Sequence, residues 1–121
     1  MKRIAILGST GSIGRQTLDV IRALPDSLEV VALTGNKNHE LLQRQLREFQ
    51  PKMFCSSVKP AVSYGSEFLS MEEIASHHGV DFVIVATAGK AGLSPTLAAL
   101  RAGKAVALAS KEVLVMAGEL I

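Results

Sequence analysis

The sequence predicts a three-layer α/β/α fold built on a doubly wound parallel sheet, Rossmann-like in its order of elements. Three observations carry this. Short aliphatic runs alternate with amphipathic stretches along all 121 residues. The runs are almost wholly apolar, the pattern of strands buried on both faces. A glycine triplet, "GSTGSIG" at 8–14, separates the first run from the first amphipathic stretch. Strands that alternate with helices at this spacing need right-handed crossovers, which place helices on both faces of one sheet.

The elements follow in order. "RIAIL" (3–7) and "LEVVALT" (28–34) are the first two strands. Between them, Ile13, Thr17, Val20, Ile21 and Leu24 recur at the spacing of one helical face, and Pro25 with Asp26 ends the run. "NHELLQRQLREFQ" (38–50) is a second amphipathic helix stopped by Pro51, and "KMFCSS" (52–57) a third strand. After an irregular stretch, "SMEEIASHHG" (70–79) offers Ser70 as N-cap and Glu73 three residues later, a capping box on a helix running to Gly79. "DFVIVAT" (81–87) is the fourth strand. In "AGKAGLSPTLAALRAGK" (88–104) Ser94 is the expected cap, with Pro95 at the first helical position. "AVALA" (105–109) is the fifth strand, and "SKEVLVMAGELI" (110–121) is a helix with an apolar face, still helical where the sequence stops. That ending suggests a fragment.

Composition narrows the class. With 48% hydrophobic and 20% charged residues the chain is globular, and its size suits one domain. A net charge of +2, spread along the chain, leaves no nucleic-acid footprint. The single cysteine, Cys55, rules out an internal disulfide and a cysteine cluster for zinc, and is expected as a buried strand thiol in a reducing compartment. The first apolar run is cut by Gly8 before a signal or membrane segment could form, so the expected location is cytoplasmic, with no membrane partner.

The glycine loop carries the chemistry. Gly8 lets the chain leave the strand sharply, Gly11 removes a side chain where a pyrophosphate would approach, and Gly14 lets helix and sheet pack closely. The N–H groups around Gly11, Ser12 and Ile13 then open a helix whose dipole favours an anion. The tip of the second strand decides which dinucleotide is held. NAD-binding domains carry an acid there for the ribose hydroxyls, whereas "TGNKN" (34–38) has none and offers Lys37 to a 2′-phosphate. The expected nucleotide is therefore NADP rather than NAD.

"ILGSTGSIGRQTLDVI", "VVALTGNKN", "AGLSPTLAALRAGK" and "ALASKEVLVMAGELI" together resemble, in order and over nearly the whole chain, the N-terminal region of the 1-deoxy-D-xylulose 5-phosphate reductoisomerase family. The resemblance implies an NADPH- and divalent-metal-dependent enzyme, with Mg or Mn, that rearranges and reduces its substrate to 2-C-methyl-D-erythritol 4-phosphate in non-mevalonate isoprenoid biosynthesis. It implies a homodimer as the full-length protein. By motif, Thr10, Gly11, Ser12 and Ile13 are similar to pyrophosphate and ribose contacts, and Asn36, Lys37 and Asn38 to a 2′-phosphate loop. Ser110 and Glu112 resemble cofactor contacts, and Lys111 a substrate contact.

Three positions depart from the family pattern. Ser110 stands where an asparagine is usual, so a shorter hydroxyl replaces an amide. Gly35 comes one place early and leaves Asn36 before the lysine. Lys90 puts a cation where small residues are expected. The family's acidic metal ligands, active-site histidine and lid lie beyond the "KE" segment, so residues 1–121 are expected to be an NADPH-binding domain without catalytic or C-terminal domains, inactive alone. Glu72 and Glu73 are helix neighbours that do not share a face and form no metal pair, and His39, His77 and His78 are expected to have no chemical role. Two other readings fit the loop: the coenzyme domain of another NADP oxidoreductase of the semialdehyde dehydrogenase kind, which does not explain "SKEVLVMAG", and a non-catalytic NADP-sensing module.

Overall fold

A computed structural model describes residues 1–35, 37–87 and 89–108. Six strands form one sheet in which every pairing is parallel: β1 (Lys2–Leu7), β2 (Leu28–Gly35), β3 (Met53–Ser56), β4 (Glu67–Phe68), β5 (Phe82–Val85) and β6 (Ala105–Leu108), in the spatial order β4-β3-β2-β1-β5-β6. The helices are α1 (Ser12–Ala23), α2 (His39–Phe49), α3 (Met71–Ser76) and α4 (Leu93–Arg101), the last entered through a 3₁₀ turn at Gly89–Gly92.

Alternation along β1 divides the core into two layers. Ile4 and Ile6 face one side with Leu18 and Ile21 of α1, Leu42 and Leu46 of α2, and Phe54. Ala5 and Leu7 face the other, with Ile74 and Ala75 of α3 and Ala99 of α4. A strand buried on both faces has no polar side to show, which is why β1 is continuously apolar from Ile4 to Leu7. In β2 a bulge at Val31 falls between the pairs Ile4–Val30 and Ala5–Ala32, so Val31 and Ala32 serve the same layer.

Four expectations need correction. The buried face of α1 is Gly14, Leu18 and Ile21, whereas Ile13 (41%), Val20 (56%) and Leu24 (47%) are exposed. The helix is turned because it lies with its backbone against the preceding loop at Gly14, a contact that hydrophobic spacing cannot register. α4 starts at Leu93 with Gly92 as cap, so Ser94 is no cap and Pro95 stands third. That position is tolerated because the first turn's N–H groups have no helical acceptor anyway. α3 ends at Ser76 with His77 as its C-cap, short of Gly79. The sheet has a sixth strand, the two-residue β4 at its edge, where Glu67 and Phe68 are both exposed and show no alternation. Residues 110–121, expected to be helical, lie outside the described residues.

Candidate functional site

Leu7 at the end of β1 lies level with Thr34 of β2 and Val85 of β5. The sheet changes winding direction between β1 and β5, so a crevice opens there at the carboxyl ends of the strands, the position at which open α/β sheets hold ligands.

The three glycines meet this crevice for different reasons. Gly8 has φ +90°, and a Cβ there would lie 2.8 Å from the Thr87 nitrogen and 2.9 Å from the Ala86 carbonyl carbon, so only glycine lets the loop pass the tip of β5. A Cβ on Gly14 would press into the Gly8 carbonyl and lie 2.7 Å from Ser9 Cα, because α1 packs directly on the loop. Gly11 has an ordinary extended backbone, φ −78° and ψ 175°, and a Cβ there would meet only the Gly8 carbonyl oxygen at 3.7 Å. The protein itself does not require a glycine at Gly11. What the missing side chain leaves is open space in front of a helix.

That helix end is uncapped. Gly11 is the N-cap of α1, no side chain caps it, and its first turn contains no acid. The N–H groups of Ser12, Ile13 and Gly14 therefore point out of the helix without helical acceptors, and the positive end of the dipole is uncompensated. Such an end is a ready anion site. Gly11, Ser12 and Ile13 are exposed and Thr10 is half-buried. Thr10 and Gly11 line a groove of about 650 Å³ with Gly8, Thr34, Gly35 and Lys37. Lys37 is exposed at its rim and, among the described residues, has no carboxylate partner. Asn38 is the N-cap of α2, and its side-chain oxygen accepts from Leu41 N–H at 3.1 Å, which leaves its NH₂ group toward solvent. Asn36, Ser110, Lys111 and Glu112 lie outside the described residues, so the loop and the Lys37 rim are the predicted site residues that the structure brings together.

Three residues that the sequence reading did not single out hold the loop. Thr34 Oγ1 accepts from Gly8 N–H at 2.8 Å, and the Thr34 carbonyl accepts from Ser9 N–H at 2.8 Å. Ser9 Oγ donates to Gln45 Oε1 at 2.7 Å, and Gln45 Nε2 donates to the Ser9 carbonyl at 2.9 Å. Ser9, Thr34 and Gln45 are all buried. The available signal was Gln45 on the inward face of α2 beside Leu42 and Leu46, a polar residue where an apolar one is expected.

Among the described residues further side chains line the groove, and none of the three histidines does. Cys55 also lines it, half-buried; burial, then the charge of Glu72, pushes its thiol up, so it stays protonated at neutral pH. Thr87 Oγ1, at the far wall, is buried without a hydrogen-bond partner among the described residues. His77 Nδ1 accepts from Gly79 N–H at 2.9 Å and its ring stacks on His78, centroids 4.4 Å apart, while His39 is the exposed first residue of α2. Among the described residues no three His, Cys, Asp or Glu side chains gather where a metal could bind, and no described helix is long and apolar enough to cross a membrane.

The sheet order, the crevice at its switch point and the open helix end over a glycine turn are those of a Rossmann-type dinucleotide-binding domain. A family model described as 1-deoxy-D-xylulose 5-phosphate reductoisomerase matches residues 4–118, and the chain belongs to that family. It is 46% identical over 132 residues to the 1-deoxy-D-xylulose 5-phosphate reductoisomerase of Caldanaerobacter subterraneus subsp. tengcongensis, covering 100% of this chain and 34% of that protein. A crystal structure of DOX-P reductoisomerase in complex with NADPH, fosmidomycin and magnesium superposes with a TM-score of 0.90 at 42% identity, over 99% of this chain and 33% of the other. The reductoisomerase of Zymomonas mobilis in complex with NADPH gives 0.82 at 37% identity, over 98% and 34%. The chain thus spans about a third of the length of the relatives it matches.

Proposed function

We propose that residues 1–121 are the NADPH-binding domain of a reductoisomerase that converts 1-deoxy-D-xylulose 5-phosphate to 2-C-methyl-D-erythritol 4-phosphate in non-mevalonate isoprenoid biosynthesis. The observation that carries this reading is the amino end of α1, left open and free of acid at the sheet's switch point, with Lys37 and no carboxylate at the tip of β2. The residues fit the cofactor: an added Cβ at Gly11 would enter the space before the helix, and the cation stands where a 2′-phosphate distinguishes NADPH from NADH.

In this reading Thr10, Gly11, Ser12 and Ile13 hold the pyrophosphate and its ribose through backbone N–H groups, which need no reorganisation to meet the charge. Asn36, Lys37 and Asn38 take the 2′-phosphate, Ser110 and Glu112 contact the cofactor, and Lys111 contacts the substrate. When bound, NADPH supplies the hydride that reduces the aldehyde formed by rearrangement. The part of the protein that the relatives possess beyond this third supplies the divalent-metal site and the catalytic groups, so the 121-residue chain binds cofactor without turnover. The whole protein is a cytoplasmic homodimer acting on small molecules, with no nucleic-acid or membrane partner.

Calorimetry with the two cofactors tests the reading. The chain should bind NADPH at least about tenfold more tightly than NADH, the scale of one charge-assisted phosphate contact. Absence of NADPH binding, or preference for NADH, overturns it.

A further inference from the structure

We infer that Gln45 is a positioning residue for cofactor selection, setting the distance between the pyrophosphate loop and the 2′-phosphate loop. This rests on the reading above, in which those loops are the cofactor's two anion sites.

Gln45 is 3% exposed and Ser9 not at all. The carboxamide accepts from the Ser9 hydroxyl (2.7 Å) with one atom and donates to the Ser9 carbonyl (2.9 Å) with the other. Glutamate has the same shape but cannot donate when ionised, and methionine or leucine can do neither. The Ser9 hydroxyl has one proton, and the Gln45 oxygen is nearer than the Thr34 carbonyl at 3.1 Å, which already accepts from Ser9 N–H. The pair is thus satisfied only by this amide in this orientation. Its neighbours on the same face of α2, Leu42 and Leu46, are buried among hydrocarbon, so an apolar residue would fill the place without the cost of burying a polar group. The amide is explained by what it joins.

It joins the two cofactor loops. Ser9 is the residue after Gly8, inside the turn whose other end opens α1. Gln45 lies two turns into α2, the helix that Asn38 caps directly after Lys37. Through Gln45 the glycine loop is fixed to α2, and through Thr34 to the end of β2. Of the two anion sites NADH, which has no 2′-phosphate, needs only the glycine loop, whereas NADPH must meet that loop and Lys37 at once. Loosening the tie therefore costs NADPH more than NADH, while a loss of general stability costs both alike.

The test measures NADPH affinity by calorimetry, and NADH affinity by competition, for the chain, for Gln45→Met and for Ile74→Val, which thins the opposite core layer. Gln45→Met should weaken NADPH about tenfold, the net worth of one or two hydrogen bonds, and NADH by less than about threefold. Ile74→Val should leave the NADPH-to-NADH ratio within about twofold. Should Gln45→Met not fold, Ser9→Ala carries the same test, since it removes the hydroxyl and keeps the Nε2–carbonyl bond; a narrowed ratio supports the inference. A parent chain that prefers NADPH, with the ratio unchanged in the variant, overturns this inference alone. A parent chain that binds neither cofactor overturns the reading beneath it as well.

Discussion

The amino ends of α1 and α3 solve one physical problem in opposite ways. Each helix begins with N–H groups that have no acceptor within the helix. At α3 the chain closes the end itself: Ser70 Oγ accepts from Glu73 N–H, Glu73 Oε1 accepts from Ser70 N–H, both at 3.1 Å, and Glu72 and Glu73 put negative charge in the first turn. At α1 it supplies a glycine cap, no side-chain bond and no acid. A closed end contributes to stability and an open end is available to a ligand, so the same dipole is used for folding in one place and left free in the other.

What seats α1 on the loop is the absence of a side chain at Gly14. Gly14→Ala would drive a methyl group into the Gly8 carbonyl and Ser9 Cα, backbone that cannot yield as a flexible side chain does. Overpacking of this kind should cost about 3 kcal/mol or more. The expected outcome in urea denaturation is a much lowered midpoint or no cooperative transition. Stability like the parent's would show that α1 does not need to lie this close.

Gly11→Asp separates binding from folding. Its backbone suits any residue, the added Cβ meets nothing closer than 3.7 Å, and aspartate is a favoured N-cap, so stability should hold or rise by a few tenths of a kcal/mol. NADPH binding should fall by at least about a hundredfold, because like charges near 4 Å apart repel by about 4 kcal/mol at a surface dielectric. Calorimetry and thermal melts on the same sample read both effects. A variant that keeps its NADPH affinity would place the pyrophosphate elsewhere.

How far each end was legible follows from the range of its interactions. The box at α3 is local: Ser70 and Glu73 are three residues apart, so the sequence pattern and the hydrogen bonds coincide. The glycine loop was legible for the same reason, since strand, turn and helix are contiguous. The face of α1 was not, because the residue that seats it, Gly14, has no hydrophobicity to count. Gln45 was hidden by its polarity on a helix whose charged residues mostly face water, and its partner Ser9 is 36 residues away. The start of α4 was misplaced because Gly89–Gly92 already winds as a 3₁₀ turn before the Ser94–Pro95 signal.

At the closed end of α3 the effects are small and depend on pH. Ser70→Ala should lower stability by about 1 kcal/mol and change NADPH affinity far less than Gly11→Asp does, since Met71 lines the groove but Ser70 does not. The Glu73 carboxyl is held below its ordinary range by hydrogen bonds from Ser70, first its backbone N–H and then its side chain. A carboxylate whose folded value lies below its unfolded one contributes stability that is present above the unfolded value and lost as pH falls through the folded one. Acidification below the ordinary glutamate range should therefore erode this contribution. Glu73→Gln keeps an acceptor at the same place but cannot take up the proton. Denaturation of both chains should show the parent the more stable at neutral pH and losing that advantage on acidification, so that the two converge below the ordinary glutamate range. Parallel pH profiles would mean that the Ser70–Glu73 box, though formed, is not what holds the end of α3 closed.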